Sequence, residues 1–324
     1  MSLDRLDENE IRYQISQIKE LPLLPQSLKR LIEIIHFQVD NCKELECIIG
    51  YDPSLVSKIL MVANSTYYGH PWKVKSVSKA IALMGVDHVK SICICTLLMN
   101  LLSQGRSINE AHRQMLWKHA FSCSRIASEI TRKRPWLDGA EAAVLGLVHD
   151  LGWIAMASCF SEQFTAICEA AASKNVPLWY VESHYGLGHS QLGKYLAARW
   201  ALPDDIKAVI EFHHFPDRCN SFKTEVRLIH IANVLSHSRE YPEMMSEETT
   251  LRHCRDLYIS EDEWLDYQDC LETIFTEVDE LWNLLGSPQN DIAMLQDENE
   301  TTGANVSRKN LNEEEGGWTT SSTK

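Results

Sequence analysis

The stretch AAVLGLVHDLGWIA, residues 142–155, places a histidine beside an aspartate in an otherwise almost wholly apolar run. The run is apolar on most faces of a helix, which predicts a central, buried helix that begins near Asp138. An ionised carboxylate that is buried without a partner is strongly unfavourable. We therefore expect Asp150 to be paired, protonated, bound to a metal, or exposed at the edge of a cleft.

Helical periodicity dominates the rest of the chain, without a convincing run of strand alternation. Asp52 and Pro53 are typical of a helix start, and Ser76 and Gly85 are typical of the two ends of the helix VSKAIALM. Further helices are predicted at about 87–102, 177–184, 189–200, 204–214 and 224–237, with a long last helix that ends at Gly286. One helical face is predicted to hold Met115, His119, Ala120, Cys123, Ile126, Ala127 and Ile130.

The polar stretch SQGRSINE, residues 103–110, separates short helices from longer ones and is a candidate hinge. We therefore predict an all-α protein in two lobes, a small helical bundle at 21–103 and a larger one at 104–286. An N-terminal extension at 1–20 precedes them. The acidic segment 287–324 has few large apolar residues and is predicted to be a disordered tail.

The composition restricts the classes of partner. The formal charge of −14 argues against a broad surface for nucleic acid or anionic lipid. The charged N-terminus lacks the features of a signal peptide, and no uninterrupted apolar run reaches the ~20 residues that cross a bilayer. The 10 cysteines include no CxxC pair, which fits a reducing cytosol. We therefore expect a cytoplasmic protein that binds neither DNA nor a membrane.

The histidines form the clearest pattern of chemically active residues. His119 lies on an apolar helical face, His189 opens a helix, and His213 and His214 end another. Together with the buried His-Asp pair, they offer imidazole and carboxylate ligands suited to Fe, Mn, Zn or Ni. A hydrogen-bonded network without metal would use the same residues, since Asp150 can accept from His119 or His213. The residues alone leave both interpretations open.

Several segments carry a resemblance to a known family. The order H…HD…HxxxG…HH resembles the HD superfamily of metal-dependent phosphohydrolases. A narrower resemblance is carried by the segments LPLLPQSLKRLIEII, DPSLVSKILMVANSTYYG, VKSVSKAIALMG, LGLVHDLG and ARWALPDDIKAVIEFHH. Through them the chain is similar, over about residues 21–240, to the HDOD domain, the HD-related output domain of bacterial signalling proteins. The resemblance implies an all-α fold in two lobes.

The resemblance also implies a set of metal ligands. In HD phosphodiesterases with two metals, a carboxylate bridges both ions, and Asp150 stands at that position. The implied ligands of the first ion are His119, His149, Asp150 and Asn233, and those of the second are Asp150, His189, His213 and His214. Such a pair lets a bridging water act as nucleophile while both ions stabilise the attacked phosphate.

Three departures from the hydrolase pattern weaken the expectation of catalysis. Asn233 stands where the hydrolases have Asp, and Trp153 stands where HD-GYP phosphodiesterases usually carry Lys. The chain reads HHFPDRCN, without the Gly-Tyr-Pro element. The leading hypothesis is a cytoplasmic signalling module that acts through contacts with other signalling proteins, without catalysis. The alternative is a metal-dependent phosphohydrolase with a weakened dinuclear site, and a third is a sensor that binds metal or a nucleotide without turnover.

Overall fold

The computed structural model describes residues 13, 22–36, 42–69, 73–103, 108–134, 138–186, 188–243 and 248–286. In these ranges the regular elements are helices and none is a strand, which confirms the all-α prediction. Apart from Tyr13, the predicted extension 1–20 lies outside the described residues, as do residues 104–107 of the predicted hinge and the predicted tail 287–324.

The first described helices are short. Asp52 caps the third of them, because its side chain accepts a hydrogen bond from the amide of Ser54 at 3.0 Å. Ser76 caps the fourth by accepting from the amide of Lys79 at 3.4 Å, and Gly85 ends it with φ at 86°. Both predicted caps are therefore confirmed. The helices are α1 (Gln26–His36), α2 (Cys42–Gly50), α3 (Pro53–Ala63), α4 (Val77–Met84) and α5 (Val86–Ser103).

The later part of the chain is organised around one long helix, α6 (Glu110–Arg132). This helix packs against its neighbours α5 and α7 and against two helices from the end of the chain, α13 and α15. Met115, predicted on the same helical face as His119, is 40% exposed and lines an open cavity. The remaining helices are α7 (Gly139–Val148), α8 (Leu151–Cys159), α9 (Ser161–Lys174), α10 (Leu178–Glu182), α11 (His189–Arg199), α12 (Asp204–Phe212), α13 (Lys223–Ser236), α14 (Glu248–Asp256) and α15 (Glu261–Leu285), with a 3₁₀ turn at Pro216–Arg218.

The stretch predicted as one central helix forms two helices, α7 and α8, with His149 and Asp150 in the turn between them. Nδ1 of His149 donates to the carbonyl of Gly146 at 2.8 Å, so this ring bonds a carbonyl of the last turn of α7. The segment Gly139–Cys159 is long and apolar enough to cross a membrane, but 83% of its most apolar window is buried inside the fold. Such burial is that of a core helix pair.

The buried apolar side chains form one continuous cluster, which extends from Leu28 in α1 to Leu285 in α15. Helix α5 packs against α6, α7 and α8, and thus joins the part before residue 103 to the part after it. A hydrogen bond from Nε1 of Trp200 to the carbonyl of Pro22, 2.9 Å long, adds a polar link. The division into lobes at 21–103 and 104–286 stays a prediction.

Candidate metal centre

Two glycines bring the helices of the site close together. A Cβ atom on Gly152 would lie 1.7 Å from the carbonyl oxygen of His189. A Cβ atom on Gly193 would lie 2.9 Å from the amide nitrogen of Gly152. Helices α8 and α11 therefore pack backbone against backbone, and this close approach carries His189 to the turn that holds Asp150.

Four imidazoles surround the carboxylate of Asp150. The Nε2 atoms of His119 and His149 each lie 3.4 Å from its Oδ2 atom. The Nε2 atoms of His189 and His213 lie 3.2 and 3.5 Å from its Oδ1 atom. One carboxylate therefore faces two pairs of histidines, one pair on each oxygen.

Backbone carbonyls fix two of these rings. Nδ1 of His149 donates to Gly146 at 2.8 Å, and Nδ1 of His213 lies 3.1 Å from the carbonyls of both Val209 and Ile210. A nitrogen that faces a carbonyl must carry the proton. In the neutral ring, Nε2 then presents a lone pair toward Asp150.

Side chains fix the other two rings. Nδ1 of His189 lies 2.8 Å from Oε2 of Glu182, and Nδ1 of His119 lies 3.1 Å from the hydroxyl of Ser236. That hydroxyl donates to the carbonyl of Asn233 at 2.7 Å, so it accepts from His119. An imidazole whose second nitrogen donates to an acceptor is the usual arrangement of a metal-ligating histidine.

The Nε2 atoms are as close to one another as the ligands of one ion. The Nε2 atoms of His119 and His149 are 3.2 Å apart, and those of His189 and His213 are 3.3 Å apart. Adjacent ligand atoms at about 2.1 Å from an ion lie about 3.0–3.4 Å apart. Two facing lone pairs at this distance repel unless a cation or a proton lies between them. The residues present therefore fit a divalent metal.

Without metal, the same cluster is a charged hydrogen-bond network. Burial raises the pKa of Asp150, but His149, His189 and His119 outweigh it and hold this pKa well below its usual range. Burial lowers the pKa of His189, but Glu182 and Asp150 raise it to about 10. Burial also holds the pKa values of His119 and His213 well below the ordinary histidine value. A proton on His189 thus stabilises Asp150 in the absence of an ion. The geometry therefore fits both interpretations that the sequence left open.

The predicted ligands separate into two groups that share Asp150. In each group the ligand atoms lie within 4.8 Å of one another, and we name each group after the side chain that holds one of its histidines. The Glu182 half comprises Asp150, His189, His213 and His214. The Ser236 half comprises His119, His149 and Asp150. Asn233 is 2% exposed and lines the same cavity as Asp150 and His214. Its Oδ1 atom is buried and accepts no hydrogen bond from the part of the chain that the structure describes. Whether these residues hold a metal stays a prediction.

The cluster lies against an open cavity of about 440 Å³. His119, Asp150 and His214 are part of its wall, and so are the aromatic rings of Trp179 and Tyr241. The ring of His214 stacks on Trp179, with centroids 4.6 Å apart. A small molecule in this cavity would therefore reach the cluster directly.

Sequence reasoning missed three residues that contact the predicted ligand rings. Glu182 and Ser236 hold the ligand rings but belong to no recognisable motif. His237 stacks on His119 with centroids 4.1 Å apart, and burial lowers its pKa to about 4. Its spacing of four residues from Asn233 on α13 is the one signal that could have indicated it, because such residues share a helical face.

Trp153 gives the cluster an apolar wall. Its ring is 3% exposed and stacks on His189, with centroids 4.6 Å apart and planes 10° from parallel. The position therefore offers no cation for a phosphate group. The cavity does contain two cations that sequence reasoning missed, Lys118 and Arg239.

Comparison with known proteins agrees with this fold. The sequence model of the HDOD domain matches residues 21–216. A 225-residue region is 24% identical to an uncharacterized protein of Treponema pallidum (strain Nichols), and this match covers 67% of the chain. It spans only 42% of the Treponema protein.

Three solved structures share the fold. An HDOD domain protein of unknown function from Geobacter sulfurreducens superposes with a TM-score of 0.71 at 22% identity, over 84% of this chain and 96% of that one. A protein from Marinobacter aquaeolei, provisionally named a signal transduction protein, superposes with a TM-score of 0.69 at 21% identity, over 86% of this chain and 64% of that one. A protein from Shewanella amazonensis, provisionally named a phosphohydrolase, superposes with a TM-score of 0.64 at 17% identity, over 84% of this chain and 97% of that one.

The helical bundle with a His-Asp turn at its centre thus defines a protein of the HD-like class. The match to the family sequence model covers more than half of the chain, and the chain belongs to the HDOD family.

Proposed function

We propose that this chain is a cytoplasmic bacterial signalling protein that binds a divalent metal ion in its histidine cluster and does not hydrolyse phosphate esters efficiently. The observation that supports metal binding is the arrangement of four Nε2 atoms around Asp150, each on a ring whose Nδ1 atom is held by an acceptor. Fe, Mn, Zn and Ni all suit this set of imidazole and carboxylate ligands.

Two features of the cluster support a binding role over catalysis. Asn233 supplies a neutral amide where the resembling hydrolases have a carboxylate, so the Ser236 half holds less negative charge. Trp153 covers His189 where a phosphate-binding lysine would be needed. A bound metal would supply Lewis acidity, but phosphate chemistry also requires cations placed at the developing charge.

A role in signalling is supported by the family and by the Marinobacter aquaeolei structure, whose provisional name is a signal transduction protein. The formal charge of −14 disfavours DNA and anionic membranes as partners. We therefore propose other signalling proteins as the partners of this chain.

The metal content of the purified protein tests this proposal. The protein is purified without chelator and without a histidine tag, and its metals are counted by inductively coupled plasma mass spectrometry. We expect at least one transition-metal ion per chain, and the loss of that ion in His213→Ala. As a matched control, His184→Ala removes an imidazole outside the cluster, one that bonds the carbonyl of Val181. A metal-free wild-type protein that takes up no ion on titration would contradict the proposal.

The second candidate function is a metal-dependent phosphohydrolase. The observation that favours it is the open cavity, which brings Lys118 and Arg239 into the space that reaches Asp150. Cyclic-di-GMP and bis-nitrophenyl phosphate, each assayed with Mn²⁺ and Fe²⁺, separate the two functions. We expect no turnover; metal-dependent hydrolysis that disappears in His149→Ala would establish the enzyme.

A further inference from the structure

One carboxylate in the cavity wall is held by two cations. Oδ1 of Asp279 lies 2.6 Å from Nζ of Lys118, and Oδ2 lies 3.0 Å from Nη1 of Arg239. The two cations come from different parts of the chain, α6 and the turn after α13, and each contacts a different oxygen. Lysine and arginine hold phosphate and carboxylate ligands through contacts of the same kind.

All three side chains line the cavity that reaches the histidine cluster. Lys118 directly precedes His119, and Arg239 follows His237 by two residues. The two cations and the two stacked imidazoles therefore line one cavity. If an external oxyanion took the place of the Asp279 carboxylate between the two cations, the molecule that carries it would lie inside the cavity.

The contact of Asp279 with the cations is of the kind that another anion can replace. The side chains of Lys118, Arg239 and Asp279 are 30%, 38% and 38% exposed. At such exposure an ion pair changes an equilibrium constant by at most about fivefold. An external oxyanion that also gains contacts elsewhere in the cavity can therefore displace Asp279.

Arg239 has two further contacts besides Asp279. Its guanidinium carbon lies 4.6 Å from the ring centroid of Phe275, and its Nη2 atom lies 3.3 Å from Glu272. The guanidinium is therefore held on the cavity wall by α15. The family match ends at residue 216, and α15 begins at Glu261. The part of the cavity wall that α15 forms therefore lies outside the matched region.

The remaining walls define the body of the ligand. Trp179, Tyr241, Phe275 and Val278 line the same cavity as the two cations. A cavity of about 440 Å³ has the size that small-molecule sites commonly have. An aromatic or apolar group attached to the oxyanion would fill it.

We propose that Lys118 and Arg239 form an oxyanion subsite for a small ligand that has an aromatic or apolar body, and that Asp279 occupies this subsite when the ligand is absent. The proposal goes beyond metal binding, because none of the three residues is a proposed metal ligand. The subsite therefore persists when metal is removed.

The test is calorimetric titration of the full chain with phenylphosphonate, benzoate and inorganic phosphate, in buffer with EDTA. The chelator removes metal as a competing anion site, so a failure of the metal proposal leaves this test unaffected. We expect Asp279→Asn to bind phenylphosphonate or benzoate about fivefold more tightly than the wild type, because a competing charge is lost. In that background, Lys118→Ala and Arg239→Ala should each weaken binding about tenfold or more.

Asp266→Asn is the matched control, because it breaks an exposed ion pair with Lys133, 2.9 Å long, that lies outside the cavity. Its affinity should equal that of the wild type, and circular dichroism should show all variants folded. The tighter of phenylphosphonate and benzoate identifies the class of oxyanion. Equal tightening in Asp266→Asn, no tightening in Asp279→Asn, or no measurable binding to either protein would overturn the subsite. Inorganic phosphate that binds as tightly as phenylphosphonate would overturn the aromatic body.

Discussion

The two halves of the histidine cluster share the carboxylate of Asp150 but differ in the side chains that hold their histidine rings. In the Glu182 half, a carboxylate holds Nδ1 of His189 at 2.8 Å. In the Ser236 half, a hydroxyl holds Nδ1 of His119 at 3.1 Å, and Asn233 adds only an amide. A carboxylate behind a ligating imidazole raises its basicity and adds negative charge near the ion. We therefore expect the Glu182 half to bind metal first and the Ser236 half to bind it more weakly.

The largest effect is expected from the residue that both halves share. Asp150→Ala removes the only carboxylate among the predicted ligands, so both halves should lose their ion. Removing one member of a buried charge pair typically costs about 3–5 kcal/mol, which is about a thousandfold in affinity. Isothermal titration with Zn²⁺ measures the change. If one ion still binds at wild-type affinity, the halves do not share Asp150.

The second effect concerns the backbone contact beneath the Glu182 half. In Gly152→Ala, the new Cβ would lie 1.7 Å from the carbonyl oxygen of His189, so α8 and α11 must separate. We expect a loss of about 3 kcal/mol in the free energy of unfolding, measured by urea denaturation. Metal affinity should fall mainly in the Glu182 half. Gly50→Ala is the control, because nothing lies within 4 Å of its added Cβ atom. Equal stability of the two variants would contradict the close packing of α8 and α11.

The difference between the halves is tested directly at their supporting residues. Glu182→Gln keeps the size of the side chain but removes its charge. We therefore expect the affinity for the more tightly bound metal ion to fall about 10- to 100-fold. Ser236→Ala removes a neutral acceptor from the other half, and we expect a smaller change, below about tenfold, in the weaker equivalent. Titration of metal into both variants gives the two affinities. A larger effect for Ser236→Ala would reverse the proposed order.

Much of the fold could be predicted because its signals are local. Asp52, Ser76 and Gly85 mark helix ends through contacts within one turn, and the apolar face predicted on α6 repeats at helical spacing. The break between α7 and α8 was not predicted, because it involves a ring-to-carbonyl bond in a run that is apolar on both sides. Helices α2, α9 and α14 were also missed; α14 has few apolar residues to define a face.

In the site, too, features with a local sequence signal could be predicted and features that depend on tertiary contacts could not. The predicted histidines and Asp150 were recognisable from motif order, whereas their convergence depends on tertiary packing. Glu182, Lys118, Arg239 and Asp279 could not be predicted, because their roles arise only when α6, α10, α13 and α15 come together around the cavity. A charged residue next to a ligand histidine looks like any exposed residue until its partner is known.

The smallest effect expected is a gain in the weaker half. Asn233→Asp supplies a carboxylate beside the Ser236 half, and we expect its metal equivalent to bind about tenfold more tightly. In EDTA, the new charge near Asp150 should lower the melting temperature, because like charges repel in a buried cluster, and added metal should reverse this loss. Asn233→Ala is the control, since it removes the amide without adding charge and should leave the weaker equivalent weak. Efficient hydrolysis of cyclic-di-GMP should not appear, since Trp153 still covers the position where the resembling phosphodiesterases carry a lysine. An unchanged isotherm in Asn233→Asp would mean that position 233 does not contribute to the Ser236 half, and that the two halves differ for another reason.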